Sequence, residues 1–150
     1  MTIGTSATVL LRPYEAADLA DIVAIERDCF PDAWREQDFV DWLAEPGCAA
    51  TVAVKDGKVV AFLVFQRKRK RIGIIDIAVS PLARHLGIAR QLIDSLVSQS
   101  GCRKIELEVR QTNVGAQMAY LKCGFIVTGL KRRYYPDGEH AVHMTRHVAG

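Results

Sequence analysis

Apolar positions change their period several times along this chain, and each change marks an element. A short β run over Val9–Arg12 is followed by "PYEAADLADIVAIERDCF", where Leu19, Ile22, Val23, Ile25 and Phe30 recur near helical spacing and predict an amphipathic helix. The chain restarts after Pro31 with Phe39, Val40 and Leu43 as the inward positions of a second helix, which Pro46-Gly47 stops. In "AATVAVKDGKVVAFLVFQ" two β-rich runs flank Asp56-Gly57, a dipeptide suited to a tight hairpin because both residues accept a left-handed backbone. "RKRKR" then ends one strand and "IGIIDIAVS" begins the next, so a three-strand meander with a basic, solvated tip is expected.

Further on, Ile88, Leu92 and Leu96 fall at steps of four and predict a helix that opens at "SPLARHLG" and closes at Gly101. "KIELEVR" alternates strictly, with Ile105, Leu107 and Val109 on one face and Lys104, Glu106, Glu108 and Arg110 on the other. "TNVGAQMAYLKCGF" reads as a helix capped by Thr112 or Asn113 and closed by Gly124. Two strands around a Pro136-Asp137-Gly138 turn complete the chain. The order β-α-α-β-β-β-α-β-α-β-β, with no internal repeat and no linker, predicts an α/β (α+β) fold with a mixed central sheet of about six to seven strands and about four helices.

At 150 residues the chain is expected to form one domain over residues 1–150. Hydrophobic residues at 49% and charged residues at 25% argue against both disorder and a membrane span. "MTIGTSATVLLRP" lacks the features of an export signal, so a cytoplasmic location is expected. Cys29, Cys48, Cys102 and Cys123 have neither zinc-site nor disulfide-framework spacing and read as reduced, partly buried thiols. His140, His143 and His147 invite a metal, but strand alternation sets His140 opposite the other two, and no metal is expected. A net charge of +3 is too small to predict nucleic-acid binding, although it suits an anionic small ligand. Arg67–Arg71 supply a quarter of the 20 basic residues; a nuclear-import patch or an RNA or ribosome contact is the alternative to a solvated hairpin tip, which their place at a strand turn favours. Oligomeric state leaves no mark in the sequence.

Two stretches carry candidate chemistry. The strand–loop–helix junction at Arg84–Ala89 is either a plain turn or an anion-binding loop, since a helix start leaves backbone N–H groups unpaired and Gly87 allows close approach. It matches neither G-x-x-x-x-G-K-[ST] nor G-x-G-x-x-G. Downstream, Glu108 lies on the polar strand face, and Asn113, Ala116, Gln117 and Tyr120 share one helix face, so a carboxylate and a phenol can address one cleft. Such a pair can supply a general base and a general acid. Glu106, on the same face, is a rival base, and Tyr120 also suits a core position.

The R-x-x-G-x-A pattern at Arg84–Ala89, preceded by "IAVSP", resembles the GCN5-related N-acetyltransferase (GNAT) superfamily, and the order of elements from about Leu11 to Met144 is that family's. "CFPDAW", "LEVRQTNVGAQMAYLKCGF" and "RRYYPDGEHAVHM" are similar to the ribosomal-protein alanine N-acetyltransferase (RimI-type) subfamily. The resemblance implies acetyl-CoA as cosubstrate and direct transfer in a ternary complex to an amine, foremost the N-terminal α-amino group of a protein such as a small-subunit ribosomal protein. It implies Glu108 as base and Tyr120 as acid. Ile77, Ala78 and Val79 would pair with the pantetheine arm, which Asn113 would also contact. Arg84, His85, Leu86, Gly87, Ile88, Ala89 and Arg90 would hold the phosphates, although His85 and Leu86 stand where relatives often carry Gly, Arg or Gln. Phe30, Trp34, Tyr134 and Tyr135 would line the acceptor entrance or form a packed rim. An α-amino group, with a pKa near 8 against roughly 10.4 for lysine, asks less of a base. The other readings are transfer to a small-molecule amine or a lysine side chain, and a non-catalytic CoA- or RNA-binding module.

Overall fold

The computed structural model of the chain describes residues 8–98 and 101–148. Among them the predicted order is realised as β1 (Leu10–Pro13), α1 (Leu19–Cys29), α2 (Glu36–Ala44), β2 (Cys48–Lys55), β3 (Lys58–Lys68), β4 (Arg71–Val79), α3 (Ile88–Val97), β5 (Lys104–Arg110), α4 (Val114–Lys122), β6 (Ile126–Lys131) and β7 (Ala141–His147). Single 3₁₀ turns over Ala16–Asp18 and Pro81–Ala83 are additions that periodicity does not predict. The seven strands follow the order β1-β2-β3-β4-β5-β7-β6, mixed because β4 and β5 are parallel while the other recorded pairs are antiparallel. No helix among the described residues is long and apolar enough to cross a membrane. The described residues form two compact units, one within residues 8–66 and 75–95, the other within residues 67–74, 96–98 and 101–148.

In the first unit the Asp56-Gly57 turn takes left-handed φ values of 52° and 77°, the twist a two-residue hairpin needs, and β2 pairs with β3 across it. Ile22, Ile25, Phe39, Val52, Phe62, Val64 and Ala78 form its core. Burying each of the large side chains contributes roughly 1.5–3 kcal/mol. Leu19, Val23 and Phe30 pack at the edge of that core, half-buried. On α2 the inward positions are Phe39 and Leu43, whereas Val40, expected inside, is 44% exposed. A nine-residue helix resting one side on a core has room for one narrow stripe, and Val40 falls beside it. The entry to α1 is tied by buried Asp18, which accepts both arms of the Arg12 guanidinium at 2.8 Å and the Glu15 N–H at 2.8 Å. The Arg12 hydrogen bond holds the Asp18 carboxyl below its usual range.

In the second unit β5 alternates as its sequence requires, with Ile105, Leu107 and Val109 buried and the four polar residues half-buried. Asn113, not Thr112, caps α4: its Oδ1 accepts the Ala116 N–H at 3.1 Å. The helix closes at Gly124 (φ +92°), where Phe125 N–H donates to the Tyr120 carbonyl and Gly124 N–H to that of Leu121, both at 3.1 Å. β6 lies at the sheet edge and is exposed along its whole length, which explains why an apolar "FIV" run contributes only Phe125 to the interior.

Candidate active site

The first unit contains the strand end and loop singled out from the sequence. Ile77 and Ala78 are buried and Val79 is half-buried at the end of β4. The chain then turns through Ser80, whose Oγ accepts the Leu82 N–H at 3.3 Å, and enters the loop with His85 at φ 67° and Gly87 at φ 74°. Left-handed residues in this alternation turn successive N–H groups toward one side, and α3 starts immediately after with its first N–H groups unmatched within the helix. A stretch of this kind presents backbone N–H groups that an anion can accept. No atom lies within 4 Å of the Cβ position at Gly87, so its backbone conformation, not lack of space, demands glycine. His85 carries the same conformation at the modest cost that histidine tolerates better than most residues. Leu86 and Arg90 are exposed, Ile88 is buried and Ala89 is half-buried.

Arg84 is turned back: its Nε lies 3.5 Å from the Val79 carbonyl and its Nη2 3.5 Å from Cys29 Sγ, which itself donates to the Val79 carbonyl at 3.3 Å. Its side chain thus anchors the loop to the end of β4.

Phe30 and Trp34 are half-buried against the core. Trp34 packs edge-on to Phe39 at 5.0 Å and stacks on Trp42 at 6.1 Å, so it forms a rim of packed rings. Its backbone N–H donates to Glu26 Oε2 at 3.0 Å. Glu26, buried within α1, presents its carboxyl to that of Asp76 on β4; Glu26 Oε1 and Asp76 Oδ2 are buried and have no partner outside the pair among the described residues. Burial, reinforced by the hydrogen bond and charge of Glu26, pushes the Asp76 carboxyl up to about 10, so Asp76 holds its proton at neutral pH. Periodicity marks Glu26 only as an unusual charge near a helix's inner face, and nothing local connects it to Asp76.

The second unit carries the chemistry proposed for acid and base. Glu108 lies opposite His143 in the β5–β7 ladder, and its Oε1 is 3.3 Å from His143 Nδ1 and hydrogen-bonded by Lys131 Nζ. That contact raises the Lys131 ammonium pKa. His143 Nε2 lies 3.5 Å from Glu106 Oε1, so the imidazole stands between two carboxylates. Glu106 differs from Glu108 in its partners: Lys104 Nζ at 3.2 Å and Arg71 Nε at 3.8 Å. Burial pushes Glu106 up, but the Lys104 hydrogen bond and the charges of Lys104, Arg71 and His143 outweigh it and hold it below its usual range. Glu106 is thereby a weaker proton acceptor than a free carboxylate.

Tyr120 is half-buried on α4 with Ala116 and Gln117, and its ring meets Phe125 edge-on at 5.9 Å. Gln117 Nε2 donates to the carbonyls of Arg110 and Gln111 at 3.1 and 2.9 Å, clamping α4 to the end of β5. Arg110 organises the β6–β7 loop: its Nη1 reaches Glu139 at 2.8 Å and Asp137 at 2.9 Å, and its guanidinium lies 4.1 Å from the Tyr135 ring centroid. The Thr112 and Arg110 hydrogen bonds hold Glu139 down to about 2. Tyr134 is half-exposed and edge-on to Tyr135 at 5.0 Å; burial pushes the Tyr135 phenol up to about 12. The roles of Lys131, His143, Arg110 and Glu139 escape sequence reasoning because they come from cross-strand register and loop closure.

Residues 19–125 match the family model described as the Acetyltransferase (GNAT) family. The chain is 32% identical over 152 residues to an N-alpha-acetyltransferase of Saccharolobus solfataricus, covering 91% of each. It is 30% identical over 136 residues to the ribosomal protein bS18-alanine N-acetyltransferase of Escherichia coli, covering 87% of this chain and 91% of that one. Among solved structures it resembles the Escherichia coli ribosomal-protein alanine N-acetyltransferase (TM-score 0.85, 28% identity, covering 95% of this chain and 96% of that one). It resembles equally Ard1 of Thermoplasma volcanium (TM-score 0.85, 26% identity, covering 95% and 99%). The protein belongs to the Acetyltransferase (GNAT) family and is an acetyltransferase.

Proposed function

We propose that this enzyme, acting as one domain over residues 1–150, transfers the acetyl group of acetyl-CoA to the N-terminal α-amino group of a protein, with a ribosomal-protein alanine as the leading candidate. Support comes from the Glu108 carboxylate, held by Lys131 and His143 on the polar face of β5, together with similarity over 91% of the chain to an N-alpha-acetyltransferase. Acetyl-CoA, when bound, supplies the acetyl group as an activated thioester. In this reading Glu108 accepts the proton of the attacking ammonium and Tyr120 donates a proton to the departing sulfur. The Val79 N–H polarises the reacting carbonyl. The N–H groups from His85 to Arg90 receive the phosphates, with Arg84 holding the loop in place and Asn113 contacting the pantetheine. Phe30, Trp34, Tyr134 and Tyr135 flank the acceptor.

The deciding experiment follows CoA release with unblocked peptides beginning with Ala, Ser, Gly, Met or Thr, beside N-blocked peptides that contain lysine and a set of polyamines. Turnover confined to the unblocked peptides, with Ala leading, is expected. Turnover with polyamines or blocked lysine peptides alone reassigns the acceptor. The loop assignment has its own check: Gly87→Ala places a methyl group on a left-handed residue, at roughly 1–2 kcal/mol of strain. Weaker acetyl-CoA binding by calorimetry, with helix content retained, is the expected result; unchanged affinity removes Gly87 from the cofactor site.

A further inference from the structure

The basic run at Arg67–Arg71 is more than the exposed tip of a hairpin. Lys68, Arg69, Lys70 and Arg71 at the β3–β4 turn, Arg103 and Lys104 at the start of β5, and His147 at the end of β7 line one open depression of about 420 Å³. Three segments distant in sequence meet there, and the backbone fixes them. Arg103 N–H donates to the Lys70 carbonyl at 2.8 Å and Val148 N–H to the Arg103 carbonyl at 2.8 Å. Arg71 pairs with Lys104, and Lys104 with His147, across adjacent strands. Lys70 holds φ at 61°, a left-handed position where glycine or asparagine would relieve strain, so the turn keeps a cation against its own conformational preference.

Six cations crowd this depression. Glu106 answers Arg71 and Lys104. Among the described residues no carboxylate pairs with Lys68, Arg69, Lys70 or Arg103. Concentrating like charge on a pinned backbone opposes folding unless an anion is recovered there. The depression lies at the opposite end of β5 from Glu108, four residues and about 13 Å along the strand, so it is separate from the proposed base.

We propose that this depression is a second ligand site, for a compact and multiply phosphorylated small anion. Its volume falls in the range of small-molecule sites. Arg69, Arg71 and Arg103 offer guanidinium forks suited to paired phosphate oxygens, and the six lining cations match the charge of several phosphates rather than of one carboxylate. Among the described lining residues the histidine is the only ring, so the phosphates, not a stacked base, carry recognition.

The test is calorimetric titration of the full chain with sodium tripolyphosphate at low salt, for the parent and for the Arg69→Ala/Arg103→Ala double variant. Both side chains are exposed, so the variant, relieved of like-charge repulsion, is expected to melt no lower than the parent and to retain acetyl transfer. Saturable binding by the parent, weakened about tenfold or more in the variant, is the expected outcome. Absence of saturable binding, or equal binding by both proteins, overturns the proposal. Two controls overturn it differently: polyglutamate binding as well as tripolyphosphate reveals unspecific charge attraction. A short RNA duplex binding more tightly, with affinity falling steeply as salt rises, reveals a nucleic-acid surface instead.

Discussion

Glu108→Gln is expected to lower kcat by about 10²–10⁴-fold while acetyl-CoA binding is little changed. The amide keeps the shape and the half-buried position of the carboxylate on β5 but has no basicity. The charge network around it supplies a control. Lys131 hydrogen-bonds Glu108, and its side chain is 47% exposed, so the pair faces solvent and contributes little to stability. Lys131→Met removes the same ion pair yet leaves the carboxylate and should retain most of the activity. Rates of acetyl transfer at saturating acetyl-CoA compare the two. If Lys131→Met loses as much as Glu108→Gln, the network's architecture is what matters and the base assignment fails. If neither loses activity, another group receives the proton; Glu106, held low by Lys104 and Arg71, is then the next residue to replace.

How far this site was legible in the sequence differs from element to element. The alternation of "KIELEVR" placed Glu108 on a polar face, and the caps of the next helix placed Tyr120, because both depend on spacing within one segment. The loop at Arg84–Ala89 was legible for the same reason: its glycine and its position before a helix start are local facts. His143 beside Glu108 was not, since it requires the β5–β7 register, which a single chain does not reveal. Arg110 read as one more polar strand residue until loop closure brought Asp137, Glu139 and Tyr135 to it. Val40 erred for a complementary reason: apolarity marks a candidate for burial, while the number of inward positions depends on how much of a short helix touches the core. The basic run is the exposed hairpin tip that its sequence predicts, but the nearness of Arg103, Lys104 and His147 does not show in the sequence, where they are far from it.

The carboxyl pair of Glu26 and Asp76 yields the second large effect. Asp76 titrates near 3.8 when unfolded and is pushed up to about 10 in the fold. Between those values the unfolded chain has lost a proton that the native pair retains, so unfolding releases a proton and stability falls as pH rises, by up to about 1.4 kcal/mol per pH unit. Asp32 contributes to the same field and acts in the same direction. Asp76→Asn replaces the protonated carboxyl with an amide donor to Glu26 and removes this dependence. The variant should therefore gain on the parent steadily between pH 5 and pH 9 in denaturant titrations; parallel curves would show that Asp76 holds no proton in the fold. Glu26→Ala acts differently. It strips partners from both Asp76 and the Trp34 N–H inside the first unit, at a cost of about 2–4 kcal/mol. Because Glu26 fixes the backbone at Trp34, the milder Glu26→Gln should raise KM for the acceptor more than it lowers kcat, if that loop meets the acceptor. A change confined to melting temperature would leave Glu26 as a structural clamp and Trp34 as part of the packed rim.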